Sequence, residues 1–117
     1  MEIIDLLTGT GELVQYRLPQ GILISGNPFH TLTHHYLSPC GQFSTGYWES
    51  TPGKWVVEYD EDEYCEMIDG ICKVVSESGT EKILRAGDRF VIPRGFAGTW
   101  EVVQTCKKIF VSYTQPK

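Results

Sequence analysis

Glycine and proline break this chain too often for helices of ordinary length to fit between the breaks. Turn-forming clusters stand at Gly26-Asn27-Pro28, Pro52-Gly53, Asp69-Gly70, Ser78-Gly79, Ala86-Gly87-Asp88 and Pro93-Arg94-Gly95. Each combines residues that fix φ or tolerate positive φ. The segments between them are short and rich in Val, Ile, Tyr, Phe, Trp and Thr, which suit a pleated surface. None carries a helical apolar period. Strands are predicted over 12–17, 21–25, 42–49, 54–59, 63–68, 71–76, 81–84, 89–92, 98–104 and 107–114. So many short strands in 117 residues imply an antiparallel all-β sandwich or barrel. A hydrophobic content of 41% supplies one core, hence one domain over residues 1–117.

Charge narrows the partners. Fifteen acids against ten bases give a net charge of −5, which argues against a nucleic-acid partner, since phosphate binding needs clustered Lys and Arg. Apolar runs are far shorter than the roughly 20 residues of a membrane helix, so no membrane partner is expected. The start, Met1-Glu2-Ile3-Ile4-Asp5, lacks the basic flank and apolar run of a secretory signal. A cytoplasmic location is expected, and with it free thiols at Cys40, Cys65, Cys72 and Cys106 rather than a disulfide scaffold. His30, His34 and His35 fall in one early segment and are expected on a solvent-facing loop. If that segment is extended, His34 and His35 point to opposite faces.

Asp69-Gly70 between two apolar-rich runs predicts a two-residue hairpin turn. That turn would set Met67 against Cys72, Glu66 against Lys73 as an opposite-charge pair, and Cys65 diagonal to Cys72 beyond disulfide reach. Alternation then places Glu63, Cys65, Met67, Cys72 and Val74 on one inward face. A carboxylate among apolar neighbours is the feature that most needs a chemical reason.

From Gly53 to Trp100 the sequence resembles the small β-barrel cupins. The usual first cupin motif, Gly-x5-His-x-His-x3-4-Glu-x6-Gly, is matched by Gly53, Glu63 and Gly70, with Tyr59 and Glu61 at the two histidine positions. The second, Gly-x5-Pro-x-Gly-x2-His-x3-Asn, is matched by Gly87, Pro93 and Gly95, with Gly98 and Val102 at the His and Asn positions. Glu63-x-Cys65, Gly87-Asp88, Trp100 and Lys108 followed by an aromatic resemble the branch related to ureidoglycine aminohydrolase, a domain of unknown function. The resemblance implies a cupin-type double-stranded β-helix, or jelly-roll barrel. Its core would be residues 43–114, and residues 1–42 an N-terminal arm and strands that join a homodimer contact. It also implies a degenerate metal site, because cupins commonly hold Mn, Fe, Ni or Zn with three histidines and a glutamate. No cofactor is expected. A divalent transition metal would need Asp60, Glu61 or Asp62, or a folded-back His30, His34 or His35, as substitute ligands.

Inside such a barrel, Glu63, Cys65, Tyr59, Trp100 and Trp48 would line a pocket, with Arg94 at the rim able to pair with a carboxylate. The alternative is that these rings simply fill the barrel. Three functions are compatible with this set. One is a small-molecule-binding domain. The second is an enzyme on a small nitrogen-containing metabolite, an aminohydrolase or isomerase with Glu63 as general acid or base. The third is a non-catalytic dimerisation or interaction domain.

Overall fold

The β-branched and aromatic runs form strands, and two of them are far longer than the turn signals suggest. The computed structural model describes residues 1–7 and 11–116. Its strands are β1 (Glu12–Arg17), β2 (Leu23–Gly26), β3 (Phe29–Leu37), β4 (Phe43–Ser50), β5 (Gly53–Glu58), β6 (Asp62–Ser76), β7 (Glu81–Arg85), β8 (Arg89–Ile92) and β9 (Ala97–Tyr113), with a single 3-10 turn at Gln20–Ile22. Every pairing is antiparallel. No helix among the described residues is long and apolar enough to cross a membrane.

The sheet runs β1-β3-β4-β9-β5-β2 and continues from β9 onto β6, which carries β7 and β8 on its far edge. The two long strands organise it. β9 pairs along its length with β6 on one edge, while β4 and β5 share the other edge. The sheet therefore curls into the cupin jelly-roll barrel expected from the sequence. The strands before residue 43 extend that same sheet: β1 adds to β3, β3 to β4, and β2 to β5.

Asp69-Gly70 is not a hairpin turn. It lies within β6, as a register shift opposite Gln104–Lys107 of β9. A two-residue turn of the expected type needs positive φ at both central residues, whereas only Gly70 has it, at +87°. The Asp69 carboxylate accepts a hydrogen bond from the Gly70 N–H at 2.9 Å, and the strand bends and continues. Likewise 98–104 and 107–114 are one strand, β9. The expected Glu66–Lys73 pair is replaced: Lys73 meets Glu81 across β7 at 3.5 Å, and Glu66 accepts from the Tyr64 hydroxyl at 2.9 Å. Cys65 and Cys72 lie on one strand rather than diagonally across two, and all four cysteines are free. The inward set survives, with Glu63, Cys65, Met67 and Cys72 buried and Val74 partly buried against the core. The irregular register shifts the alternation between Met67 and Cys72, as a hairpin would have done.

Gly70 is constrained twice. Its φ is unfavourable for an L side chain, and a Cβ there would collide with the Thr105 carbonyl oxygen and the Cys106 backbone. Gly70→Ala is expected to destabilise the fold by about 2–4 kcal/mol, read as a lower denaturant midpoint. An unchanged midpoint would show that the bend tolerates a side chain.

β3 is an addition to the predicted strands. Its three histidines were expected on a loop, but His30 is only 2% exposed. His34 and His35 do take opposite faces, His34 against Phe110 and His35 against Tyr47.

Candidate functional site

Inward positions of β6 and β9 lie side by side on one wall of the barrel, because the two strands are hydrogen-bonded neighbours. Register puts Glu63 opposite Ser112, Cys65 opposite Phe110 and Met67 opposite Lys108. Trp48 of β4 lies opposite Lys108 on its other side. The result is a buried ion pair: Lys108 Nζ donates to Glu63 Oε1 at 2.8 Å, with the residues only 4% and 9% exposed. The Lys108 ammonium also sits 4.9 Å from the centre of the Trp48 ring and 4.6 Å from that of Trp100, within cation–π range. Burial alone would push the Lys108 pKa down. The adjacent carboxylate more than offsets this and holds it above the ordinary lysine value.

Cys65 donates its thiol to the same Glu63 oxygen at 3.1 Å. Burial pushes that thiol up to about 12, so at neutral pH it is a protonated donor and not a nucleophile. Tyr59, just beyond β5, has its hydroxyl pKa raised by burial and stays neutral. On β3, His30 Nδ1 accepts the Trp48 indole N–H at 2.9 Å. The His30 ring stacks on Tyr16 with centroids 5.0 Å apart and meets Trp55 edge-on at 4.9 Å. Desolvation lowers the His30 pKa to about 4.

All of these groups except Cys65 and Met67 border one cavity of about 440 Å³, within the range of small-molecule sites. Of the residues expected at a pocket, Tyr59, Glu63, Trp48 and Trp100 line it. Cys65 lies beneath it as a support for Glu63. Arg94 sits apart, on the exposed Pro93–Gly95 turn, where its guanidinium bonds the Gln115 side chain and its N–H bonds Asp62. Glu61 lines the cavity, its carboxylate 3.4 Å from the Thr114 hydroxyl. The residues not anticipated as lining are chiefly Lys108, His30, Tyr16, Trp55 and Phe110. Lys108 carried a readable signal. Cys106, Lys108, Phe110 and Ser112 alternate on the inward side of β9, so a lysine among them is as anomalous as Glu63 on β6.

A model of the EutQ-like cupin domain matches residues 37–110. The chain belongs to the EutQ-like cupin family. Solved cupins with the same fold include the Clostridium difficile EutQ protein, 21% identical, with a TM-score of 0.69 over 84% of this chain and 75% of that one. A putative ethanolamine utilization protein Q from Salmonella typhimurium is 18% identical, with a TM-score of 0.67 over 92% of this cupin and 100% of that chain. A protein of unknown function from Pseudomonas syringae is 20% identical, with a TM-score of 0.79 over 93% of this cupin and 46% of that chain. No curated protein matches the sequence.

Proposed function

We propose that this cupin is a small-molecule-binding domain with a degenerate metal site. The observation that carries the reading is the Glu63–Lys108 pair on the wall of an aromatic cavity of about 440 Å³. Barrel filling alone needs no charges, and a buried ion pair is often no more stable than apolar residues of equal size. A pair that borders an aromatic cavity has a use in orienting a ligand.

The donor set does not suit the metal that cupins commonly hold. Tyr59 and Glu61 stand at the first two histidine positions. Gly98 stands at the third, where a Cβ would collide with the Val75 carbonyl oxygen. Glu63, the remaining ligand position, is taken by the Lys108 ammonium. Among the described residues no three His, Cys, Asp or Glu side chains gather as a metal cluster. The alternative of an aminohydrolase or isomerase on a nitrogen-containing metabolite rests on the motif resemblance to the ureidoglycine aminohydrolase branch. In it Glu63, on the cavity wall, would move the proton.

Native mass spectrometry of protein purified without chelator tests the binding reading and the metal reading together. The expected spectrum shows a bound organic molecule, released on denaturation, and no stoichiometric Mn, Fe, Ni or Zn. One equivalent of metal lost on Glu63→Ala would overturn the metal reading. A bare protein that also ignores a fragment library in ligand-observed NMR would overturn the binding reading.

A further inference from the structure

Hydrogen bonding fixes the tautomer of His30. An indole N–H can only donate, so the Nδ1 that accepts from Trp48 carries no proton, and the proton of the neutral ring sits on Nε2. That Nε2 is buried and has no hydrogen-bond partner among the described residues, an arrangement penalised until an acceptor arrives. Glu63, on the wall of the same cavity, has a free acceptor that is not fully buried and so reaches solvent. Oε1 accepts from both Lys108 and Cys65, while Oε2 has no hydrogen bond among the described residues. Both groups adjoin Trp48: the His30 ring centre is 5.3 Å from it, and the ammonium that holds Glu63 is 4.9 Å from it.

Two indoles beside a carboxylate would ordinarily receive a ligand cation. Here the chain's own Lys108 ammonium holds that place. Glu63 neutralises it, so the pair has no net charge, and a charged ligand set against this buried pair would be left without a counter-charge from it. Glu61, the other lining carboxylate, is half-buried beside Thr114 and screened by water.

Building on the ligand-binding reading above, we propose that the cavity selects an uncharged, flat molecule with an acceptor for His30 Nε2–H and a donor for Glu63 Oε2, the class represented by a primary aryl carboxamide. The surrounding rings of Tyr16, Trp48 and Trp55 supply its apolar contacts.

Three probes of one shape and different charge test this: benzamide, benzoate and benzamidinium, titrated into the isotope-labelled full chain at neutral pH, with affinities read by ligand-observed NMR and the His30 ring nitrogens by protein-observed NMR. Benzamide is expected to bind at least about tenfold more tightly than either ion and to move the His30 Nε2 resonance. Glu63→Gln, which leaves Lys108 unmatched, is expected to turn the preference to benzoate. Lys108→Met, which leaves Glu63 unmatched, is expected to turn it to benzamidinium. Should either variant fail to fold, the wild-type ranking and the His30 resonance decide. An ion binding most tightly to the wild type would overturn the selection of uncharged ligands while leaving the pocket in place. If none of the three binds, the inference fails, and the native mass spectrum shows whether the ligand-binding reading falls with it.

Discussion

Lys108→Met is expected to destabilise the fold by about 3–5 kcal/mol, the usual effect of leaving one member of a buried ion pair uncompensated. Glu63 would keep its thiol bond from Cys65 but lose the cation at 2.8 Å while remaining 9% exposed. Removing both charges is a different perturbation. The double variant Glu63→Leu with Lys108→Met takes away the desolvation cost along with the attraction, and it is expected to recover most of the loss. Guanidinium denaturation of the four proteins in this cycle measures the coupling. A Lys108→Met loss below about 1 kcal/mol would place the carboxylate in contact with water and not in a buried pair.

Acid is expected to weaken the fold through His30. Its pKa falls from 6.5 in the open chain to about 4 in the barrel, so between those values the unfolded state binds a proton that the native state refuses. Stability from this group is therefore fully present above pH 6.5 and declines as pH falls toward 4. The full shift corresponds to about 3 kcal/mol. Carboxylates titrate over the same range, so the informative quantity is the difference between wild type and His30→Gln, which keeps an acceptor for the Trp48 indole. The variant is expected to lose less stability between pH 7 and pH 4.5. Parallel pH profiles would mean that the His30 ring takes up its proton without penalty.

The barrel was legible in the sequence because β propensity and turn chemistry are local. The expected strands at 12–17, 81–84 and 89–92 reappear within a residue. Local signals misled where the partner was distant. Asp69-Gly70 has hairpin chemistry, yet β6 pairs with β9 across a long stretch of chain, and that pairing overrides the turn. Glu63 was legible because an acid on an alternating apolar face is visible in isolation. Its partner was not, because splitting β9 at residues 104–107 hid the run of inward positions that includes Lys108. His30 was read by residue type alone. Its burial depends on Tyr16, Trp48 and Trp55, which come from three other strands.

Under the proposed binding function, the position of β9 would divide the labour of recognition. Trp100, Lys108, Phe110 and Ser112 all project from one strand that is hydrogen-bonded along both edges, so the floor of the cavity has no means of yielding to an ill-fitting guest. The opposite wall is built differently. Tyr16 belongs to β1, which is held by β3 alone, and Gly41 and Thr114 lie outside the strands altogether. For a ligand bound as proposed, tolerance of size and outline would therefore belong to the rim, while discrimination by charge would rest on the floor and change only with the barrel itself.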